Sequence, residues 1–255
     1  MNDSNQKQNI RLLKMMKQAL DRDLLRPSFK PLLQVRFPTR KSFLVGCELQ
    51  TANNRMISYG NLEKLARLTD TSAELDRWLL QLGLKTLKKL HGEEAESLVV
   101  IPQSIASLYD PEYPRRLERQ KELLELSFNG LVIAFQLAAI SHDPKQAQQC
   151  LSALHEMGID TMLEGFSQHP TALKLLRPLG SRYVSVSEKL QKAEDGVVEH
   201  RIQTCRHLGI HILLPGIDTP EDVNLHWSAG ADLLAGDYIH PATPDTDFRF
   251  APVIV

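Results

Sequence analysis

Two glutamates stand where apolar segments of the chain end, and this position could support metal-dependent chemistry. Glu48 is the next-to-last residue of the segment FLVGCEL, and Glu164 directly follows IDTML. If both segments are strands of a parallel barrel, their carboxyl ends meet at one face, where the active sites of such folds lie. Carboxylates that converge there can hold divalent ions and activate water for hydrolysis.

The other segment ends offer few further metal ligands. Asp218, after the segment IHILLPG, adds one acid at such a position. A hydrolytic metal site needs several carboxylates that converge on one point. The remaining residues at these ends are Gln50, Pro102, Gln103, Gln136, Gly165, Ser185, Ser187, Pro215 and Ala235. We therefore expect no magnesium or manganese site and no catalytic residue at this face.

Strand-like and helix-like segments alternate through most of the chain. Roughly eight apolar runs with strand character are separated by segments with helical spacing, and no linker rich in Pro, Gly or Ser divides them. This order predicts an α/β protein with a single TIM-like (β/α)8 barrel rather than two domains. The first two runs, FKPLLQV and FLVGCEL, are joined by a short turn-like segment, which predicts an antiparallel strand near the start.

The residues before the barrel form a separate predicted unit, 1–27. The segment IRLLKMMKQALDRDLL places apolar side chains on one face of a helix. Pro27 discourages continuation of this helix, so the barrel and its C-terminal tail are assigned to 28–255. Two interpretations stay open: the helix packs on the barrel that follows, or it connects the barrel to an upstream domain.

Composition argues against several classes of protein. The chain has 255 residues and a formal net charge of -1, which gives no indication of nucleic-acid binding. Its three cysteines are far apart and odd in number, so we expect buried thiols in a reducing compartment rather than a disulfide framework. No apolar run is long enough to span a bilayer, and the polar N-terminus is unlike a signal peptide. The sequence therefore predicts a cytoplasmic protein without a membrane span.

Several segments resemble, in order, the motifs of the EAL family of cyclic-di-GMP (c-di-GMP) phosphodiesterases. GCELQ resembles the EAL signature, and AELDRWLL resembles the family's L-D-x-W helix start. Four further segments resemble later motifs of the family: IPQSIASLYDPEY, MGIDTMLEGFSQHPTALKLLRPL, LGIHILLPGIDTPED and AGADLLAGDYIHP. The resemblance covers about Ser28 to Pro241, and the order and spacing of the motifs together are specific. It implies a barrel that binds two metal ions and cleaves a phosphodiester bond of c-di-GMP.

This chain departs from the family at the positions that the resemblance assigns to metal binding and catalysis. Glu48 stands at the signature glutamate, but the metal-binding asparagine corresponds to Pro102. The other departures are Ala134, Phe135 and Gln136 in the region of a glutamate, Glu164 and Gly165 at the paired aspartates, Ser185 at the lysine, Ser187 at a further aspartate, Pro215 at a late glutamate and Ala235 at a glutamine. A single carboxylate cannot hold two metals. The resemblance therefore implies a degenerate EAL domain that is not an enzyme.

One branch of the family, the FimX-like receptors of type IV pilus systems, fits these departures better. The tail GDYIHPATPDTDFRF and the segment VIAFQL resemble theirs. Such domains bind c-di-GMP without cleaving it or dock partner proteins. Here Ala52 stands at a phosphate-binding arginine and Gly216 at an aromatic that can stack on guanine, while Asp218 could still accept a guanine N–H. We expect c-di-GMP binding to be weak or lost.

Two functions from different classes stay open. In the first, the inactive domain regulates c-di-GMP-linked signalling by docking a protein, for example of a type IV pilus or motility system. In the alternative, it is a receptor that binds c-di-GMP at the barrel mouth and relays it to a partner such as a PilZ-type protein. The candidate ligand-binding residues of this vestigial mouth are Glu48, Gln50, Gln136, Glu164 and Asp218. The apolar tail, which contains Phe248, is expected to fold back on the barrel or to contact a partner.

Overall fold

One sheet of mainly parallel strands, rolled into a nearly closed barrel, dominates the fold. The computed structural model describes residues 3–51, 53–92, 97–141, 143–167, 169–191, 196–223, 230–248 and 250. Within these residues, seven strands lie parallel and side by side in the order in which they occur along the chain. They are β3 (Ser42–Gln50), β5 (Leu98–Gln103), β6 (Leu131–Gln136), β7 (Asp160–Phe166), β8 (Tyr183–Val186), β9 (His211–Leu214) and β10 (Leu233–Leu234).

Antiparallel strands complete the sheet at its two edges. β1 (Leu25–Pro31) pairs with β3. β2 (Leu33–Gln34) follows β1 almost directly and pairs with β10, which nearly closes the barrel. β4 (Met56–Ile57) forms a hairpin with the end of β3. The predicted TIM-like barrel with an antiparallel strand near its start is therefore confirmed.

Strand β1 begins earlier than the sequence pattern predicts. The apolar run indicates a strand from Phe29, whereas β1 starts at Leu25 and includes Pro27. Proline lacks the N–H that a central strand donates, and it is tolerated where a strand has a neighbour on one side. On its outer side, β1 forms a single bridge within the described residues, from Phe29 to Thr243. Pro27 therefore lies where no ladder hydrogen bond is lost.

Helices connect the strands and cover the outside of the barrel. Helix α7 (Pro144–Glu156) shows why they form: the side chain of Asp143 accepts from Gln146 N at 3.1 Å, Pro144 starts the helix, and Gly158 follows its end with a φ of 79°. None of the described helices is long and apolar enough to cross a membrane. The helices are α2 (Tyr59–Leu68), α3 (Ser72–His91), α4 (Ile105–Leu108), α5 (Tyr113–Leu124), α6 (Leu137–Ile140), α7 (Pro144–Glu156), α8 (Pro170–Leu179), α9 (Glu188–Gln191) and α10 (Val197–His207).

A further helix, α1 (Asp3–Asp21), precedes the barrel and contacts α2 and α3. Its side chains Met16 and Ala19 are buried and belong to the same hydrophobic core as the barrel residues. After the helix, the carboxylate of Asp23 accepts a hydrogen bond of 2.9 Å from the indole N–H of Trp78 on α3. Apolar burial and one polar contact thus join α1 to the helical layer.

Alternate side chains of the strands point to opposite sides of the barrel wall. Those that point outward pack against the helices in the main hydrophobic core. Those that point inward form a second, separate apolar cluster inside the barrel. Its members are Leu32, Val100, Val132, Ala134, Met162, Tyr183, Leu213, Leu233 and Ala235. The barrel is therefore filled, and its two ends are separate surfaces.

The described part of the C-terminal tail folds back on the barrel. The ring of Phe248 packs edge-on against Phe43 of β3, with centroids 5.3 Å apart, and against Phe250, with centroids 4.9 Å apart. It also lies 4.7 Å from the ring of His240. Of the two expected arrangements, this part of the tail adopts the folded-back one. Residues 251–255 lie outside the described residues.

The predicted burial of the three cysteines is confirmed. Cys47, Cys150 and Cys205 are all buried and unpaired. Burial raises the pKa of Cys47 and Cys150 to about 12 and the pKa of Cys205 to about 11. Because the thiolate is the reactive form of cysteine, these thiols are inert in the folded protein.

Candidate functional site

The carboxyl ends of the parallel strands form one face of the barrel, which we call the mouth. On β6 and β7, Gln136 and Glu164 lie two residues beyond Ala134 and Met162, which fill the barrel interior. Since strand side chains alternate, Gln136 and Glu164 point to this same inward side. The same spacing places five further residues at inward positions of the mouth: Glu48, Pro102, Ser185, Pro215 and Ala235.

Glu164 and Gln136 form a hydrogen-bonded pair at the mouth. They are direct neighbours in the register of β7 and β6. Gln136 Nε2 donates to Glu164 Oε2 at 2.7 Å. Immediately after Glu164, Gly165 adopts a φ of 77° and the pairing with β8 shifts by one residue. This bulge redirects the end of β7, and glycine takes its positive φ without strain.

Burial raises the pKa of Glu164 to about 7. The negative charge of Glu63 on α2 contributes to the increase, whereas the hydrogen bond from Gln136 opposes it. Near neutral pH, the Glu164 carboxyl therefore carries its proton in a large fraction of the molecules. Since metal ligands must be deprotonated, a divalent cation at this position would compete with that proton.

Two side chains of α2 also approach the mouth, and the sequence analysis missed both. Burial raises the pKa of Tyr59, and the charges of Glu164 and Glu63 raise it further, which places these three groups near one another. Tyr59 packs closely on β3, because a Cβ atom at Gly46 would lie 3.4 Å from Tyr59 Cβ, at van der Waals contact. Tyr59 and Glu63 are four residues apart on one helix and so lie on the same face of it. This spacing is the feature of the sequence that could have placed them together.

Asp76, the aspartate of the L-D-x-W resemblance, organises the turn after β5. Its carboxylate accepts hydrogen bonds from Ser104 N at 3.0 Å, from Ser104 Oγ at 2.7 Å and from Ser107 Oγ at 2.6 Å. Burial raises the pKa of Asp76, and the hydrogen bonds from the two serines oppose the rise. Gln103 lies beside it, and its Nε2 donates to the backbone carbonyl of Asp76 at 3.1 Å. Both side chains point away from the barrel interior and fix the strand end.

The predicted ligand-binding residues Gln50 and Asp218 form local contacts in loops. Gln50 is exposed, and its Nε2 donates to Asn54 Oδ1 at 3.2 Å. Asp218 is exposed as well, and its Oδ1 accepts from the backbone N–H of Asp237 at 2.9 Å. This contact joins the loop after β9 to the loop after β10. The structure therefore places Glu48, Gln136 and Glu164 on the inward side of the strands and the other two residues in the surrounding loops.

Of the two positions that the resemblance assigns to nucleotide contacts, one has no side chain and the other lies outside the described residues. Gly216 is exposed, has a φ of 73° and carries no side chain that could stack on a base. Ala52 lies outside the described residues. Ser187, at a further position of the resemblance, caps the short helix α9 through the hydrogen bond that its Oγ accepts from Leu190 N at 3.3 Å.

The inward residues of the mouth do not fit a pair of divalent metal ions. Such a site needs several oxygen ligands that converge. The two carboxylates available are Glu48 and the partly protonated Glu164. Pro102, Pro215 and Ala235 have no side-chain oxygen. In the part of the chain that the structure describes, no three His, Cys, Asp or Glu residues form a group that could hold a metal ion.

A cavity of about 490 Å³ opens beside the mouth, between α2 and the ends of β5 and β6. Its lining includes one acidic residue, Glu63, and two basic residues, Lys64 and Arg67. Gln103 also lines this cavity, but its Oε1 atom is buried and accepts no hydrogen bond from the described residues. The volume falls in the range of small-molecule sites, roughly 300–1,000 Å³.

The sequence matches the EAL domain family over residues 13–242. This match spans most of the chain, and the chain therefore belongs to the EAL domain family, as the motifs predict. No curated protein matches the sequence.

The fold is similar to those of several solved EAL domains. The FimX EAL domain from Pseudomonas aeruginosa bound to c-di-GMP has a TM-score of 0.84 at 18% identity, over 94% of this chain and 99% of that chain. The Xanthomonas citri FimX EAL domain in complex with c-di-GMP has a TM-score of 0.85 at 18% identity, over 98% of this chain and 100% of that chain. The PaMucR phosphodiesterase in complex with c-di-GMP has a TM-score of 0.82 at 18% identity, over 92% of this chain and 98% of that chain. The predicted likeness to FimX domains is confirmed at the level of the fold.

Proposed function

We propose that this EAL domain is a catalytically inactive regulatory domain of c-di-GMP-linked signalling that acts by docking a partner protein. The observation that carries the proposal is the composition of the mouth, where Glu48 and Glu164 are accompanied inward by proline, serine, glutamine and alanine. Two-metal hydrolysis needs a set of anionic ligands that places both ions against the phosphodiester and activates water. This mouth lacks such a set, so no hydrolytic step is assigned to it.

The state of Glu164 supports this proposal. A metal ion at this position would have to displace the carboxyl proton and the hydrogen bond of 2.7 Å from Gln136. In an active two-metal site, by contrast, a carboxylate is ionised and shared between the metal and its supporting hydrogen bonds. The hydrogen bond from Gln136 gives one oxygen of Glu164 a partner without a metal ion.

Weak or absent nucleotide binding follows from the same mouth. Gly216 provides no ring for a guanine, and Ala52 provides no guanidinium for a phosphate. Stacking on an aromatic side chain contributes on the order of 1–3 kcal/mol per base. Loss of the stack and of the charged hydrogen bonds together should weaken c-di-GMP binding by about two decades or more. We propose docking through the folded surface, with a protein of a type IV pilus or motility system as the partner class.

The second candidate function is a non-hydrolysing receptor, and the cavity beside the mouth favours it. Lys64 and Arg67 line this cavity and could contact phosphates. Two FimX relatives of the fold are c-di-GMP complexes. A receptor of this kind would relay c-di-GMP to a partner such as a PilZ-type protein.

Isothermal titration of the full chain with c-di-GMP, with and without Mg²⁺, distinguishes the two candidates. The docking proposal predicts no saturable heat at micromolar nucleotide. Micromolar or tighter binding would overturn it in favour of the receptor. Arg67→Ala then tests whether the cavity holds the nucleotide, with Arg119→Ala on α5 as a matched exposed control outside the cavity.

A further inference from the structure

A second cavity, of about 300 Å³, lies at the opposite end of the barrel, where the parallel strands begin. We call it the basal pocket. Strand starts such as Tyr183 and His211 line one side, and the segment after β2, with Arg36 and Arg40, lines the other. The apolar side chains that fill the barrel separate this pocket from the mouth. A ligand held here would therefore be independent of the proposed function of the mouth.

Positive charge exceeds negative charge in the basal pocket. The lining includes three arginines, Arg36, Arg40 and Arg182, and two aspartates, Asp160 and Asp232. Both carboxylates have partners, which reduces the repulsion that they would exert on an anion. Asp160 Oδ2 lies 3.2 Å from Arg182 Nη1. Asp232 Oδ2 accepts a hydrogen bond of 3.0 Å from the backbone N–H of Ile212, and Asp232 Oδ1 lies 3.3 Å from His211 Nδ1.

The arginine side chains are arranged to receive a ligand. Arg36 is exposed and forms no hydrogen bond or ion pair within the described residues. The guanidinium of Arg40 stacks on the ring of Phe37, at 3.6 Å from its centroid, which holds it in a defined plane. A guanidinium presents a planar set of donors that matches the oxygens of a carboxylate or a phosphate.

The hydroxyl of Tyr183 is a further hydrogen-bond donor at the basal pocket. Tyr183 is 7% exposed and lines the basal pocket. Its ring packs on the imidazole of His211, with centroids 5.3 Å apart. Its hydroxyl forms no hydrogen bond to the described residues and is not among their fully buried, unpartnered side-chain atoms, so it can donate into the pocket. An anionic oxygen in the pocket would accept this hydrogen bond.

We propose that the basal pocket binds a small oxyanion, which is a phosphate group or a compact carboxylate. Arg36 and Arg40 supply the positive charge, and the Tyr183 hydroxyl supplies a directional donor. A purely structural role would account for the Arg182–Asp160 pair and the Asp232–His211 contact, but it would leave the exposed Arg36 without a function. The pocket volume accommodates a ligand of a few heavy atoms beyond the anion itself.

The test is isothermal titration of the full chain at about 50 mM salt, where charge screening is moderate, with pyrophosphate and with citrate as separate probes. We expect saturable binding of at least one probe, and the one that binds more tightly identifies a phosphate or a carboxylate as the ligand chemistry. Arg36→Ala should weaken binding by about tenfold. Tyr183→Phe keeps the ring and removes only the hydroxyl, and it should weaken binding about threefold to tenfold.

Two variants serve as controls for the basal pocket. Arg119→Ala removes an exposed arginine outside the pocket, and Glu164→Gln changes the mouth, so neither should alter the affinity for the probe. Absence of saturable heat with both probes at millimolar concentration would overturn the proposal. Binding that is equal in the wild-type protein, Arg36→Ala and Tyr183→Phe would overturn it as well. None of these outcomes depends on whether the mouth binds c-di-GMP.

Discussion

The side-chain amide of Gln136 donates a hydrogen bond of 2.7 Å to the carboxyl group of Glu164, its neighbour on the adjacent strand. This contact joins two of the inward positions of the mouth to each other. Burial raises the pKa of Glu164 to about 7, so the pair contains a carboxyl that is close to half-protonated at neutral pH. Each side chain of the pair therefore has a hydrogen-bond partner in the other. The titration of Glu164 makes the free energy of unfolding dependent on pH.

Glu164→Gln should stabilise the protein above pH 7. Burial raises the pKa of Glu164 from the ordinary 4.5 to about 7, so the folded state retains a proton that the unfolded chain releases between these values. Wild-type stability therefore falls as the pH increases from 4.5 to 7, by up to about 3 kcal/mol. The glutamine variant lacks this loss. Denaturant unfolding at pH 5 and pH 8 should show similar stabilities at pH 5 and a more stable variant at pH 8.

The matched control for this prediction is Glu118→Gln on α5, where the carboxylate is exposed. Its stability should follow that of the wild-type protein at both pH values. If Glu164→Gln is no more stable than wild type at pH 8, Glu164 is ionised without cost in the folded state and the description of the mouth is wrong.

Asp76→Ala should destabilise the protein by about 2–4 kcal/mol. The change leaves Ser104 N, Ser104 Oγ and Ser107 Oγ without their acceptor in a largely buried turn. Glu74→Ala on the same helix is the control, because among the described residues Glu74 forms an exposed ion pair of 3.7 Å with Arg77, and such a pair contributes little. Urea unfolding of both variants checks the prediction, and equal stabilities would contradict the role assigned to Asp76.

Phe248→Ala should destabilise the protein by about 1–3 kcal/mol. The ring packs on Phe43 of β3, so its loss removes a partly buried aromatic contact between the tail and the barrel. Leu123→Ala is a suitable control, because Leu123 on α5 is 76% exposed. Thermal unfolding with no difference between the two variants would indicate that the tail does not pack on the barrel in solution.

The three thiols should be protected from alkylation and disulfide exchange in the native protein. With pKa values of about 11 to 12, roughly 10⁻³ or less of each thiol is thiolate at pH 8, and burial restricts access as well. A thiol-reactive chromophore should detect slow reaction in buffer and rapid reaction of all three cysteines in denaturant. Rapid reaction of any one thiol in the native protein would show that its burial is transient.

Several features of this structure could be predicted from the sequence because they depend on local patterns. The apolar runs at Glu48 and Glu164 located β3 and β7 correctly, since burial on both sides makes parallel strands nearly continuous apolar segments, although each strand extends two residues further. The inward direction of Gln136 follows from the same alternation. The position of Gln103 was not anticipated: it is one residue beyond Pro102, so it points toward the helices instead of into the mouth.

Other features depend on contacts between distant segments and could not be predicted in this way. Glu63 and Tyr59 approach the mouth because α2 crosses the end of β3, although neither residue lies at a strand end. The basal pocket combines Arg36 with Tyr183, which are far apart in the sequence and meet only when the barrel closes. The edge position of β1, which tolerates Pro27, is likewise a property of the completed sheet.

The absence of phosphodiesterase activity is the central claim, and a hydrolysis assay tests it most directly. The full chain would be incubated with c-di-GMP in the presence of Mg²⁺ or Mn²⁺, and the linear dinucleotide product would be quantified beside an active EAL phosphodiesterase. We predict no product above the rate without protein, because the mouth lacks the ligands for two metal ions. Metal-dependent turnover that Glu48→Gln abolishes would contradict this account and identify the mouth as an active site.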